Sequence, residues 1–126
     1  MITLFMHDAK TSINELKELA EKFREERDWK QFHTPKDMAI DVAVEAGEIL
    51  EHFRFRTNEE ILQFLKDPQK KQQISHEMAD VLWGLLYLAI DMDIDLASAF
   101  DEKLKLSAKK YPIEKAKGVN KKYTEL

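Results

Sequence analysis

The run ISHEMADVLWGLLYLAI, residues 74–90, carries apolar side chains at 74, 78, 81, 82, 85, 86 and 89. That spacing is one face of a long helix. From Val81 to Ile90 the apolar character is unbroken except for Gly84, so more than one face of the helix is apolar. A bilayer crossing needs about 20 such residues. Ten fall well short, and the segment reads as buried core.

Upstream, Asp67-Pro68 is a break, and the long helix is expected from about Gln69 to Ile90. Before it, Thr57 and Glu60 have the spacing of a capping box for a short helix whose apolar contacts would be Ile61, Leu62, Phe64 and Leu65. Earlier still, Thr34 is a good N-cap, Pro35 suits the first helical position, and Asp37 completes a box. Met38, Val42, Ala46, Ile49, Leu50 and Phe53 mark the apolar face of that helix, and Arg54 to Arg56 end it. Ser12 with Glu15 opens the first helix, with Ile13, Leu16, Leu19, Ala20 and Phe23 at helical spacing. The segment Arg27 to His33 breaks that pattern and reads as a helix end plus connector.

Downstream, Asp95 can cap a fifth helix bearing Leu96, Phe100 and Leu104, and Tyr111-Pro112 closes it. Residues 113–126 hold six charged side chains and little periodicity, a tail expected to lie along a neighbour or stay mobile. No segment alternates as a strand does. The expectation is one all-α domain over residues 1–126, with its core in 12–112. The second and fourth helices are apolar around more than one face. Either the other helices cover them within one subunit, or subunits associate.

Composition limits the chemistry. No cysteine is present, which excludes disulfides, zinc thiolates and cysteine nucleophiles and fits a reducing, cytoplasmic setting. The opening MITLFMHDAK has too short an apolar run for a signal peptide. A net charge of -4 argues against a nucleic-acid polymer as partner but not against a nucleotide held through divalent cations.

Two carboxylate pairs stand out: Glu45-Ala-Gly-Glu48 and Glu77-Met-Ala-Asp80. Three-residue spacing puts both members of a pair on one helical face. A single such pair is commonly solvated surface. Here both lie in the two most apolar helices, where an uncompensated carboxylate is costly. Protons or a hard cation would relieve the repulsion. An all-oxygen set suits Mg2+, with Mn2+ as a substitute. Ala46, Gly47 and Ala79 keep the intervening surface small enough for two helices to approach. Asp41 lies four residues before Glu45, and His52 four after Glu48, the latter more in keeping with a structural role than a ligand. Gly84 makes room for a substrate or, more simply, for a neighbouring helix.

At these residues the chain resembles the MazG-like, all-alpha nucleoside triphosphate pyrophosphatases, most closely their dCTP pyrophosphatase branch. The likeness rests on ERDWKQFHTPKD, VEAGEILEHFRF, ISHEMADVLWGLLYL and KLKLSAKKYP. It implies a four-helix bundle with an additional short helix, assembling as a homodimer or homotetramer. It also implies magnesium-dependent hydrolysis of a nucleoside triphosphate to monophosphate and pyrophosphate. Glu45, Glu48, Glu77 and Asp80 would then be the catalytic metal ligands. Trp29 and Phe55 would sandwich the base, with His33 nearby. Lys103, Ser107, Lys110 and Tyr111 would lie near the phosphates, supplied by the same or a neighbouring subunit. Ser107, Phe55 and Gly84 differ from the residues usual in that branch, and all three changes surround the nucleotide.

Two other readings stay open on the residues alone. A di-iron bundle would need Glu-x-x-His motifs, and the chain has none. A non-enzymatic helical oligomerisation or regulatory module would use the same apolar faces and leave the carboxylates at the solvent edge.

Overall fold

The structure is a computed structural model that describes residues 5–126. Its elements are helices α1 (Ile13–Glu26), α2 (Pro35–Phe53), α3 (Asn58–Phe64), α4 (Pro68–Asp91), α5 (Leu96–Lys110) and α6 (Ile113–Ala116). Two 3-10 turns, Lys30–Phe32 and Tyr123–Glu125, complete it. Among the described residues there is no strand. None of the helices is long and apolar enough to cross a membrane.

Local chemistry sets the helix starts. Ser12 Oγ accepts from the Glu15 amide, and the Glu15 carboxylate accepts from the Ser12 amide, a full capping box. Thr34, Thr57, Asp67 and Asp95 each accept one amide hydrogen bond at the head of α2, α3, α4 and α5. The box expected at Thr34 forms differently: the Thr34 hydroxyl donates to Asp37 Oδ2 at 2.8 Å instead of receiving the carboxylate at its backbone. Pro68 itself is helical, so α4 begins one residue earlier than expected and runs one residue further, to Asp91.

The described chain forms two compact units, one reaching to Asp93 and one spanning Ile94–Leu126. Of the expected four-helix set, α1, α2 and α4 belong to the first unit and α5 to the second.

In the first unit α2 runs along α4, and α1 packs on α4 as well. The α2–α4 approach is close at Gly84, where a Cβ would come within 2.7 Å of Val42 Cγ2. Gly84 therefore serves helix packing. The expectation that Gly47 would mark that approach is not met, because nothing lies within 4 Å of its would-be Cβ. Ala46 and Ala79 are exposed too. The core gathers Ala20, Met38, Phe64, Ile74, Leu86, Tyr87 and Ala89. Leu62, expected among the contacts of α3, is exposed, while Phe64 fills the space. Ile40, Val44 and Leu50 on α2 and Met78 on α4 stay exposed, so these helices do keep uncovered apolar faces.

A buried ion pair ties α1 to α4. Arg24 is fully buried, at 0% exposure. It donates to both oxygens of Asp91 and to Glu21, and its guanidinium lies 4.4 Å from the Tyr87 ring centre. The Tyr87 hydroxyl donates to the Ala20 carbonyl at 2.9 Å. These bonds engage both terminal nitrogens of Arg24, while its Nε has no hydrogen-bond partner among the described residues.

In the second unit the tail is more ordered than its sequence implied. It forms α6, and Tyr123 then packs edge-on against Tyr111.

Candidate functional site

A cavity of about 360 Å3 opens between α1, the connector, α2 and α4. Its walls are mostly aromatic: Phe23, Trp29, Trp83 and Tyr87, with Met38 and Gly84 between them. Its polar rim holds Asp41, Glu45, Asp80 and His33.

Trp29 reaches this wall through a local turn. Asp28 takes a left-handed conformation at φ 53°, which an aspartate tolerates better than most residues. The chain turns back so that the Trp29 amide donates to the Arg24 carbonyl at 3.0 Å. Gln31 Nε2 holds the turn by donating to both the carbonyl and the carboxylate of Asp28. Phe23 supports two tryptophans edge-on, Trp29 at 5.8 Å and Trp83 at 4.9 Å. Trp29 keeps 43% of its surface exposed, so its ring is partly free to receive another.

Among the described residues, three buried polar atoms of the cavity lining lack a hydrogen-bond partner: Glu45 Oε2, His33 Nδ1 and Trp83 Nε1. Burial pushes the Glu45 carboxyl up to about 7, and the neighbouring Glu48, Asp80 and Asp41 carboxylates add to the rise. An enclosed carboxylate among three others is a place where a cation or a proton is wanted.

Of the expected metal ligands, Glu45 and Asp80 reach the cavity, and Glu48 lies beside Glu45. Glu77 turns to His52, whose Nε2 lies 2.5 Å from its Oε2. Among the described residues no three acidic or histidine side chains already converge as a ligand set. The donor chemistry still fits a hard cation, since all four are carboxylates and two of them, Glu45 and Glu77, have a buried oxygen that accepts no hydrogen bond among the described residues.

Of the expected base-binding residues, Trp29 and His33 line the cavity. Phe55 does not; it is 91% exposed, with the Arg54 guanidinium 4.6 Å from its ring centre. Lys103, Ser107, Lys110 and Tyr111 belong to the second unit. There Lys110 Nζ sits 4.9 Å from the Tyr123 ring centre, and the Tyr111 hydroxyl accepts from the Tyr123 amide at 3.4 Å.

Sequence reasoning missed Phe23, Met38 and Trp83 as cavity residues, because each sits at an apolar helical position indistinguishable from core. Arg24 and Asp91 were missed for the opposite reason: charged residues on helices read as solvated.

Residues 40–126 match the MazG-like family, a span that includes all four paired carboxylates. The chain belongs to the MazG-like family. Its relatives include dCTP pyrophosphatase 1 from Homo sapiens, 31% identical over 122 residues, covering 97% of this chain and 72% of the relative. The Bos taurus enzyme of the same name is 30% identical over the same shares. Among solved structures, a pyrophosphatase from Archaeoglobus fulgidus superposes with a TM-score of 0.74 at 32% identity, covering 89% of this chain and 99% of that one. The expected family and the likeness to its dCTP pyrophosphatase branch are thus both found, and the relatives share the expected enzyme class.

Proposed function

We propose that the chain is a magnesium-dependent nucleoside triphosphate pyrophosphohydrolase, converting a (d)NTP and water to the monophosphate and pyrophosphate, with dCTP as the preferred substrate. The class, a nucleotide pyrophosphatase, follows from family membership and from the named activities of its relatives. The observation that carries the finer reading is the crowded, partly orphaned Glu45 carboxylate on the rim of an aromatic cavity. It supports reading a cation site beside a slot for a flat ring.

Glu45, Glu48, Glu77 and Asp80 would hold Mg2+, with Mn2+ as a substitute. The bound ion supplies charge neutralisation for phosphate oxygens and acidifies the attacking water. Trp29 stacks on the base, and His33 faces its edge. Glu48, exposed beside Glu45, orients the water that attacks the α-phosphorus and accepts its proton. Lys103, Ser107, Lys110 and Tyr111 add polar contacts to the phosphates from the same or a neighbouring subunit. The uncovered apolar faces of α2 and α4 support a homodimer or homotetramer, and the protein is assigned to the cytoplasm.

The test is product analysis with a panel of deoxynucleoside triphosphates and magnesium. Monophosphate plus pyrophosphate should appear, chelator should abolish both, and Glu48→Gln and Asp80→Asn should remove turnover with helices intact. Normal turnover in both variants would remove the acidic cluster from the reaction.

A further inference from the structure

The acid-bearing face of α2 ends in a base. Asp41, Glu45 and Glu48 follow one another at helical spacing, and His52 stands one turn further on. Its side chain is only 19% exposed. Across the interface its Nε2 lies 2.5 Å from Oε2 of Glu77 on α4. That oxygen is buried and accepts no well-aligned hydrogen bond among the described residues, while the Glu77 side chain as a whole keeps 24% of its surface open. Oε2 is therefore turned inward to the imidazole, and the exposure falls on the rest of the side chain. Native interiors rarely leave a buried polar atom unmade, and the imidazole is the group at hand to complete this one.

The imidazole is itself supported. The Phe64 ring of α3 lies 6.0 Å from it, tilted by 53°. Phe64 is buried, with the Arg56 guanidinium 4.7 Å and Lys70 Nζ 5.0 Å from its ring centre. A chain of three side chains thus runs from Phe64 through His52 to Glu77. Asp80, one turn along α4 from Glu77, lines the cavity. A plain tie between two helices is the simpler role for such a pair. It gives no reason for the tie to hold one of the four paired acids by its buried oxygen.

We infer that His52 is a positioning residue for Glu77: the imidazole fixes Oε2 against α2, so that the other carboxylate oxygen is presented to a divalent cation held with Glu45, Glu48 and Asp80. A carboxylate that binds a metal keeps its orientation through a hydrogen bond of its own, and loss of that partner weakens the metal site. The Nε2–H of the imidazolium, or of the matching neutral tautomer, supplies the donor. The role fixes the sign of its own test. Deleting a basic group beside an acidic cluster can only favour a cation electrostatically, so weaker binding has to come from lost positioning. This rests on the acidic cluster being the cation site of the proposed reaction.

The probe is manganese alone, titrated into the full chain without nucleotide, with the free ion counted by electron paramagnetic resonance. His52→Leu should raise the manganese Kd about 10–100-fold. His52→Gln, whose amide N–H2 donates from nearly the same reach, should bind close to wild type. In turnover, H52L should need more magnesium and recover its kcat when the metal is raised. Circular dichroism establishes that each variant is helical; if H52L does not fold, His52→Asn, whose amide stops short of Glu77, replaces it. An H52L protein that binds manganese as tightly as wild type, or more tightly, would overturn the inference, and so would an H52Q protein as weak as H52L. Loss of binding in Glu77→Gln with H52L unaffected strikes His52 and leaves the acidic site standing. If E77Q and D80N both bind manganese like wild type, the cluster is not the cation site and both readings fail together.

Discussion

Arg24 and Asp91 meet at two points: Nη1 donates to Oδ2 at 2.9 Å and Nη2 to Oδ1 at 2.8 Å, across the interface of α1 and α4. The arginine is fully buried, and its carbonyl also receives the Trp29 amide. Removing one partner of such a pair strands the other charge, at a cost of about 3–5 kcal/mol. Arg24→Met should lower unfolding stability in urea by that amount. Adding Asp91→Leu should recover most of it, since the pair as a whole is worth far less than either half alone. If R24M alone costs nothing, the buried pair does not hold α1 to α4.

The same pair fixes one limb of the pH profile. The Arg24 guanidinium holds the Asp91 carboxyl below the ordinary carboxylate range. The native state therefore binds this proton less readily than the unfolded chain. The stabilisation is complete above about pH 4 and is lost as pH falls toward the depressed value. Acid unfolding of the wild type should steepen there, and the limb should flatten in the R24M, D91L double variant.

Glu45 carries the opposite sign. Its carboxyl is raised from 4.5 to about 7 in the native state. Below 4.5 both states hold the proton, and nothing is lost. Between 4.5 and about 7 only the unfolded chain ionises freely, so metal-free protein should lose stability as pH rises through that window. Magnesium should restore stability above pH 7 by holding the carboxylate in its charged form. Melting curves in chelator and in magnesium at several pH values provide the check. A Glu45→Gln protein should show neither the decline nor much of the rescue. Equal slopes in wild type and E45Q would remove Glu45 as the source.

Gly84 gives a packing test that does not touch the acids. A methyl added there meets Val42 Cγ2 at 2.7 Å, too close without movement of a helix. Overpacking of this kind costs about 1–3 kcal/mol. Gly84→Ala should destabilise by that amount, and Val42→Ala in the same chain should return part of it. Additive losses in the double variant would mean that the two residues do not press on one another.

What the sequence made legible follows the range of each interaction. The caps at Ser12, Thr34, Thr57 and Asp95 depend on residues three apart, and all four form, while Asp67, which reads in the sequence only as part of a break, adds a fifth. Carboxylate spacing fixed which faces the acids share, and the family likeness fixed Trp29 and His33 as cavity residues. Side-chain direction was not legible. Glu77 looks equivalent to Asp80 along the helix, yet it turns to His52 across the α2–α4 interface. The Arg24–Asp91 pair spans 67 residues of chain, and no local pattern announces it. Trp83 looked like core because a core aromatic and a cavity-lining one occupy the same kind of helical position.

Trp29 and Phe55 separate affinity from stability. Trp29 lines the cavity with part of its ring open, and base stacking is worth about 1–3 kcal/mol. Trp29→Ala should therefore raise KM about fivefold to a hundredfold while kcat changes little. Phe55 is held at φ 62° with almost no cover, a left-handed conformation that costs a non-glycine residue about 1–2 kcal/mol. A large ring kept exposed in a strained position is a candidate for contact with a ligand or another subunit. Phe55→Gly relieves the strain and removes the ring in one change. The expected result is a protein about 1 kcal/mol more stable in urea with a higher KM for the nucleotide. The two measurements should move in opposite directions. A more stable F55G enzyme with unchanged KM would strike Phe55 from the base site and leave Trp29 to stack alone.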